Sequence, residues 1–185
     1  MTAPAFLSYE EMQAALSPIR QSPRETGRLE WIVRRPNVDE REVLTEAQLD
    51  LTEGLVGDNW QPRGRNRTPD GSASLERQIT LMNARVIALL AQSQERWALA
   101  GDQLYVDFDL SVEHLPVGAQ IQIGEAVVEV SAPPHTGCNK FAERFGADAL
   151  KFVNSPEGRE LRLRGINARI IRAGTVRVGD IIRKL

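Results

Sequence analysis

This sequence has few side chains for sulfur or imidazole chemistry, because its 185 residues include one cysteine and two histidines. A single thiol excludes an internal disulfide and any cysteine-rich zinc or iron–sulfur site. It is typical of a reducing compartment, so we expect a cytoplasmic protein. Long apolar runs are also missing, and the acid-interrupted N-terminal segment lacks the basic start of a targeting signal. We therefore expect no association with a membrane.

Lysine is scarce as well, since only Lys140, Lys151 and Lys184 stand among the 23 basic residues. The formal net charge of −2 gives no overall attraction to nucleic acid, and the chain has no P-loop or dinucleotide fingerprint. Nucleic-acid partners are therefore not expected. The arginine excess fits either a demand for planar anion-binding groups or a bias in genome composition, and the sequence leaves both open.

Two segments of unequal length organise the chain. Ser8 and Glu11 have the spacing of a capping box, which predicts a short helix, and Pro18 is expected to end it. We expect residues 1–27 to form this N-terminal helix and a linker. Residues 28–185 are expected to form a single domain.

Short strands separated by glycine turns dominate the predicted domain. Apolar and polar residues alternate over residues 104–110, which indicates a half-buried strand. Thr45 and Gln48 have capping-box spacing and predict a short helix over residues 46–53. Residues 60–75 are rich in turn formers and predict a long exposed loop. The pattern is typical of a mainly β fold with short helices, arranged as a closed or nearly closed β-barrel.

The lone cysteine stands at a change of local structure. Pro133 and Pro134 end a strand, and a helical pattern begins near Cys138, which we place in the first turn. Free N–H groups and the helix dipole there favour a thiolate, and His135 and Lys140 are close in sequence. A thiolate can attack, carry sulfur or bind a soft metal. The alternative is a small buried apolar residue, the usual role of a free cysteine.

An ordered series of short motifs surrounds this cysteine. The motifs are Gly54-Leu-Val-Gly57-Asp58, Arg77-Gln-Ile-Thr-Leu81, Leu115-Pro-Val-Gly118, Ile123-Gly124, Cys138-Asn-Lys140, Arg164-Gly165-Ile-Asn-Ala-Arg169 and Val178-Gly-Asp180. Together they resemble the MOSC domain, the module named after the C-terminal part of molybdenum cofactor sulfurases. The resemblance covers about residues 28–185 and implies a MOSC-type β-barrel. It also implies that the chain binds molybdenum cofactor or handles its sulfur, with Cys138 as a molybdenum ligand or a persulfide carrier.

The same resemblance implies an activity and partners. Some small stand-alone bacterial members are linked to the reduction of N-hydroxylated compounds, which implies a small-molecule substrate and a redox or sulfur-donor protein partner. The alternatives are a non-catalytic module that carries cofactor or sulfur to an oxidoreductase, and a structural barrel with an incidental cysteine. We expect no pyridoxal-phosphate domain. Many relatives have proline directly before the cysteine, whereas this chain has Gly137.

Molybdenum cofactor carries a phosphate and an oxo-metal centre, so its site should supply arginine, lysine or backbone N–H donors. The residues predicted to bind it are Asp58, Arg63, Arg65, Arg67, Arg77, Lys140 and Arg164. Cys138 and His135 are predicted as catalytic residues, with His135 as a proton donor or phosphate ligand. The three loop arginines are predicted to form a mobile cover over the anion.

Each candidate also has a structural interpretation. The loop arginines can be solvated surface charges. Arg77 or Arg164 can instead form a structural ion pair with Asp58 or Asp180. His135 can be a surface residue of its loop. The sequence leaves these alternatives open.

Overall fold

The computed structural model describes residues 6–62 and 67–185. Its helices are α1 (Tyr9–Ala14), α2 (Leu16–Arg20), α3 (Ala84–Ala91), α4 (Asn139–Phe145), α5 (Ala147–Asn154) and α6 (Pro156–Glu160). Its strands are β1 (Gly27–Arg34), β2 (Glu42–Leu44), β3 (Glu46–Asp50), β4 (Gly54–Leu55), β5 (Ile79–Asn83), β6 (Leu104–Asp107), β7 (Gln120–Ile123), β8 (Ala126–Val130), β9 (Ile166–Arg172), β10 (Gly174–Arg177) and β11 (Ile181–Lys184). Two 3₁₀ helices cover Leu75–Arg77 and Gln94–Ala100.

Seven strands close into a barrel. Their order is β11, β7, β8, β9, β5, β6 and β1, and β1 pairs back onto β11. The pairing of β5 with β6 is parallel, whereas the other barrel pairs are antiparallel. Closure leaves no free barrel edge for pairing with another chain. The prediction of a mainly β fold with short helices and a closed barrel is confirmed.

The remaining strands lie outside the ring. Strand β2 pairs with β1, and β10, β3 and β4 form a separate three-stranded sheet. The capping box at Thr45 and Gln48 led to the wrong prediction of a helix over 46–53. Strand β3 forms there because Ala47 and Leu49 are buried while Glu46 and Gln48 are exposed, which is a period of two. Tertiary pairing with β10 therefore overrides a local capping signal.

A second apolar core lies outside the barrel, under the helices. It includes Met12 and Leu16 from the N-terminal helices, Val86 from α3, Phe152 from α5 and Tyr105 from the outer face of β6. The N-terminal helices therefore bury their apolar side chains in the same cluster as α3 and α5. No helix among residues 6–62 and 67–185 is long and apolar enough to cross a lipid bilayer.

The N-terminal capping box is confirmed. The Ser8 hydroxyl accepts from the Glu11 amide at 3.3 Å, and the Glu11 carboxylate accepts from the Ser8 amide at 2.8 Å. The prediction that Pro18 ends the helical segment is wrong, because α2 contains it. Pro18 stands in the first turn of α2, where the missing N–H has no intrahelical partner to lose.

Candidate functional site

A cavity of about 170 Å³ lies between the loop that follows β1 and the start of α4. We call it the cationic cavity. The cationic side chains that line it are Arg35, Arg41, Lys140, Arg144 and Arg164, together with His135 and Cys138. Asp39 is the one carboxylate among its described lining residues. The structure thus brings the predicted residues Cys138, His135, Lys140 and Arg164 to one place.

Cys138 is exposed in this cavity as a free thiol. It is the N-cap of α4 rather than a residue of its first turn, so the predicted position is wrong by one residue. Its backbone is extended (φ −126°, ψ 176°), and its carbonyl accepts the Phe141 amide at 2.9 Å. The thiol therefore sits at the junction of an extended segment and a helix, and the interpretation as a buried apolar residue is excluded.

Gly137 fixes the backbone directly before this cysteine. Its amide donates to Asn154 Oδ1 at 3.0 Å, and Asn154 Nδ2 donates back to its carbonyl at 3.3 Å. A Cβ on Gly137 would lie 2.6 Å from Leu150 Cδ1. The segment leading to Cys138 is thereby clamped onto α5, and the clamp needs an N–H at position 137.

Gly137→Pro should therefore lower the free energy of unfolding by about 1–3 kcal/mol, because it removes that N–H and leaves Asn154 Oδ1 without its donor. It should also change the rate at which iodoacetamide alkylates Cys138. Urea unfolding and alkylation kinetics measure the two effects. Gly137→Ala is the control, since it keeps the N–H, and its Cβ would meet side-chain ends of Leu150, Val153 and Asn154 at 2.6, 3.1 and 3.4 Å. Equal losses of unfolding free energy in Gly137→Pro and Gly137→Ala would show that the hydrogen bond from the Gly137 amide to Asn154 does not stabilise the protein.

A buried carboxylate organises the other wall of the cationic cavity. Asp102 is fully buried, accepts from Arg164 Nη1 at 2.6 Å and faces His135 Nε2 at 2.8 Å. Arg164 Nη2 donates to the Ala100 carbonyl at 2.9 Å, and its guanidinium carbon lies 4.9 Å from the centre of the Phe141 ring. Arg164 thus pairs with Asp102 and not with Asp58 or Asp180.

The charges in this group set its protonation states. Burial raises the pKa of Asp102, but the charge of Arg164 and the interaction with His135, which is protonated only at lower pH, outweigh it and lower the pKa to about 2. Burial and the charge of Arg164 lower the pKa of His135, against the opposing effect of Asp102. Asp102 is therefore ionised and His135 is neutral at pH 7. An ionised carboxylate only accepts, so His135 carries its proton on Nε2 and leaves Nδ1 as an acceptor.

Asp58 holds another arginine of the cavity in place. Its carboxylate accepts from Arg35 Nη2 at 2.7 Å and from Arg35 Nε at 2.9 Å, and both side chains are buried. It also accepts from the amides of Arg35 and Trp60 at 2.9 and 3.0 Å. Asp58 thus lies behind Arg35, and its direct contact with a ligand stays a prediction.

Lys140 and Arg144 share one carboxylate on the opposite side. Lys140 Nζ lies 3.3 Å and Arg144 Nη2 3.4 Å from Asp39 Oδ1. The hydrogen bond from Lys140 lowers the pKa of Asp39. Asp39 has φ of 62°, in the left-handed region that aspartate tolerates better than most residues. One shared carboxylate leaves this side of the cavity with excess positive charge.

Sequence reasoning missed five of these residues, Asp39 among them. Arg144 could have been found, because it stands four residues after Lys140 and therefore on the same helix face. Arg35, Arg41 and Asp102 lie far from Cys138 in sequence, and nothing in their local patterns marks them as part of a site.

Four predicted arginines either are not brought to the cationic cavity or lie outside the described residues. Arg77 ends a 3₁₀ helix and is absent from the lining of this cavity. Arg67 donates to the Gly71 carbonyl at 2.5 Å within a turn of its own loop. Arg63 and Arg65 lie outside the described residues. Their binding roles stay predictions.

Comparison with known proteins agrees with the fold and with the motif series. The family model described as "MOSC domain" matches residues 68–183. No functionally curated protein sequence matches the chain significantly. The crystal structure of the YuaD protein from Bacillus subtilis aligns with a TM-score of 0.60 at 18% identity, covering 86% of this chain and 96% of that one.

Two further structures share the fold at low sequence identity. YiiM from Escherichia coli aligns with a TM-score of 0.55 at 17% identity, covering 85% of this chain and 69% of that one. YiiM from Geobacillus stearothermophilus aligns with a TM-score of 0.56 at 12% identity, covering 86% and 75%. Together with the family match over more than half of the chain, these likenesses confirm the MOSC-type barrel. The chain therefore belongs to the MOSC domain family, which is associated with the molybdenum cofactor.

Proposed function

We propose that the cationic cavity binds the molybdenum cofactor and that Cys138 is a thiolate ligand to its metal. One observation carries the proposal: an exposed thiol shares a cavity with five cationic side chains. Thiolates suit soft or high-valent metal centres, and guanidinium and ammonium groups suit a phosphate. The molybdenum cofactor needs both a ligand for its metal and cationic groups for its phosphate, and few other ligands need both.

Unpaired polar atoms of the cavity support the fit. Arg164 Nε and Asn59 Oδ1 are buried without a hydrogen-bond partner among the described residues. Burying such groups unpaired is costly, and a bound ligand with complementary atoms would remove that cost. No group of three or more His, Cys, Asp or Glu side chains suited to a metal ion occurs in the described part of the chain. The metal would accordingly arrive with the ligands of the cofactor itself.

When bound, the cofactor supplies two-electron redox chemistry at its metal. Lys140 and Arg144 would neutralise its anionic groups from α4, while Arg35 and Arg164, held by Asp58 and Asp102, would do so from the opposite wall. His135 presents Nδ1 as a proton acceptor, because its Nε2 proton is held by Asp102. The side chain of His135 can therefore hold or release a proton close to the thiol.

We further propose that the reaction is reduction of an N-hydroxylated compound, as in small stand-alone relatives. Cleavage of the N–O bond consumes two electrons and two protons and releases the amine and water. A redox protein partner would supply the electrons. His135 lines the same cavity as Cys138 and supports this assignment, because its Nδ1 could take up a proton from solvent and pass it to the substrate, as a reaction that consumes protons requires.

A second candidate function is that of a carrier for cofactor or sulfur. It is favoured by the exposure of Cys138, since a persulfide must be reached by a partner protein. The enzyme and the cofactor carrier would both hold cofactor in the cavity and would differ in turnover, whereas the sulfur carrier would hold a persulfide on Cys138. The carrier would deliver its cargo without reducing a substrate.

Molybdenum and pterin analysis of the protein purified from a cofactor-competent host tests the proposal. We expect stoichiometric metal and pterin in the wild type, loss of molybdenum in Cys138→Ala, and about tenfold weaker retention of pterin in Lys140→Gln with Arg144→Gln. Lys151→Gln is the matched control, because Lys151 stacks on the Tyr9 ring outside the cavity.

The outcomes separate the candidates. A wild-type protein without molybdenum or pterin would overturn the enzyme and the cofactor carrier, and the absence of cyanide-labile sulfur on Cys138 as well would overturn the sulfur carrier. A loaded protein that reduces an N-hydroxylated amidine with a reduced viologen dye as electron donor would be the enzyme. A loaded protein that shows no turnover, or that carries cyanide-labile sulfur on Cys138, would be the carrier.

A further inference from the structure

A second cavity of about 270 Å³ lies on the other side of the segment that carries His135. We call it the apolar cavity. It shares His135, Thr136 and Arg164 with the cationic cavity, and the rest of its lining is different. The segment between β8 and α4 is therefore a wall with a cavity on each side.

This wall is held at both ends. Asn167 Nδ2 donates to the Pro133 carbonyl at 3.0 Å, and Asn154 clamps Gly137 at the other end. Pro133 and Pro134 stiffen the segment between these two anchors. The apolar cavity is consequently bounded by fixed backbone, which favours a site that exists before its ligand binds.

Aliphatic side chains supply much of the lining. Val130 and Ile166 come from the adjacent ends of β8 and β9, Val153 from α5, and Val112 from the segment after β6. The first three are buried, whereas Val112 is 48% exposed. The cavity thus offers an apolar surface to a compact ligand that enters past Val112.

Two polar groups of this cavity lack the partners that would satisfy them. Ser131 Oγ is buried without a hydrogen-bond partner among the described residues. Arg162 donates through Nη1 to the carbonyls of Leu115, at 2.5 Å, and Leu110, at 3.4 Å, and pairs with no carboxylate in the described part of the chain. Partial burial lowers the pKa of Arg162, as expected for a cation that has lost water without gaining a counter-ion.

Arg162 follows the C-cap of α6 as a left-handed residue, and the Leu163 amide ends the helix by donating to the Gly158 carbonyl at 2.8 Å. The φ of Arg162 is 49°, in the left-handed region that costs a residue with a Cβ about 1–2 kcal/mol. The chain thereby places an arginine in the lining of an apolar cavity at a cost in stability. A ligand that neutralises this guanidinium would offset the cost.

We propose that the apolar cavity binds a small organic anion, with Arg162 and Ser131 holding a carboxylate and the aliphatic side chains holding a compact apolar body. A carboxylate matches the planar guanidinium of Arg162, and Arg159, which also lines the cavity and donates to the Asn154 carbonyl, adds positive charge to it. The volume is below that of most drug-sized sites, which restricts the ligand to a small molecule. The proposal does not depend on molybdenum, because none of these three features involves Cys138 or α4.

Calorimetric titration with benzoate tests this proposal on the full chain, with the molybdenum and pterin content of the same preparation measured alongside. We expect saturable binding, about tenfold weaker binding of the neutral isostere benzamide, and a rise of about tenfold in Kd for Arg162→Gln. Val112→Phe should weaken benzoate binding with Arg162 intact, because the larger ring fills the entry. Ser131→Ala should weaken it less.

Two control variants locate the ligand. Arg172→Gln removes an exposed arginine that also donates to a carbonyl, and it should leave the Kd unchanged. Lys140→Gln with Arg144→Gln should leave it unchanged too, because these residues line only the cationic cavity.

Benzoate binding that survives Arg162→Gln, or that is lost in the Lys140 and Arg144 variant, would overturn the proposal, as would the absence of saturable binding at millimolar benzoate. Circular dichroism of each variant excludes misfolding as the cause of a loss. Benzoate binding to a preparation without molybdenum or pterin would support this site while contradicting the cofactor proposal, so the two failures are distinguishable.

Discussion

Replacing Asp102 by asparagine should lower the free energy of unfolding by about 3–5 kcal/mol at neutral pH. The substitution keeps the shape of the side chain but removes its charge. Arg164 would then remain a buried cation beside a neutral amide, with its Nε still unpartnered. Breaking a buried pair from one side is costly because the desolvated partner stays behind uncompensated.

Asp107→Asn is the matched control for this measurement. Asp107 also pairs with an arginine, Arg85, at 2.7 Å, but its side chain is 29% exposed and that of Arg85 is 33% exposed. Solvent screens such a pair, so the expected loss is about 1 kcal/mol or less. Equal losses in urea unfolding of the two variants would contradict the assignment of Asp102 as the buried organiser of the site.

The pH dependence of the same pair of proteins gives a second readout. Asp102 has a folded-state pKa of about 2, below its ordinary value of 3.8, so its stabilising contribution is complete above pH 3.8 and is lost as the pH falls through 2. The difference in stability between wild type and Asp102→Asn should therefore shrink over that interval. A difference that stayed constant down to pH 2 would contradict the sign of this shift.

His135 reports on the same substitution without reference to stability. The charge of Asp102 opposes the burial and the Arg164 charge that lower the pKa of His135. Asp102→Asn should therefore lower the pKa of His135 further, as measured by NMR titration of the imidazole. An unchanged titration would show that Asp102 does not act on His135.

The second large effect is expected at Asp58. Asp58→Asn should cost about 3–5 kcal/mol in urea unfolding, because it leaves the buried guanidinium of Arg35 without its bidentate carboxylate. The asparagine keeps one oxygen, which can still accept from the Trp60 amide, so the loss combines the removed charge with the lost hydrogen bond from the Arg35 amide. Arg35→Met combined with Asp58→Asn should be less destabilised than Asp58→Asn alone, since no unpaired cation then remains.

The neighbouring ion pair of Arg34 and Glu42 is the control for these variants. Arg34 and Glu42 are joined at 2.6 Å, but their side chains are 30% and 44% exposed. Glu42→Gln should accordingly change the stability by about 1 kcal/mol or less. One outcome is a double variant that loses as much stability as Arg35→Met and Asp58→Asn lose together. Arg35 and Asp58 would then be uncoupled, which would contradict the assignment of Asp58 as the group that holds Arg35 at the cavity.

Local sequence predicted well wherever a short-range pattern coincided with burial. The capping box at Ser8 and Glu11 forms as predicted, and the alternation over residues 104–110 begins as strand β6. The same capping pattern at Thr45 and Gln48 failed, because β3 is held by pairing with β10, which follows more than a hundred residues later. Capping contributes about 1 kcal/mol, and that is too little to oppose strand pairing and burial of Ala47 and Leu49.

In the candidate site, too, local sequence predicted some residues, and contacts between distant segments determined the others. Its cysteine, His135 and Lys140 stand within six residues of each other, so sequence alone could group them. Their counterparts come from the loop after β1 and the segment before β6, and only barrel closure brings those segments to α4. No sequence motif indicates that Arg164 pairs with Asp102 and not with Asp58.

By itself the sequence determined the chemistry that this protein can offer. The single cysteine excluded internal disulfides and cysteine-rich metal clusters. The motif series indicated the family and the barrel. The tertiary structure alone decided which arginines share a cavity with the thiol, which carboxylates hold them, and that a second cavity is lined in part by His135. The reason is physical: side-chain type is local, whereas burial and charge pairing depend on contacts between residues that are distant in the chain.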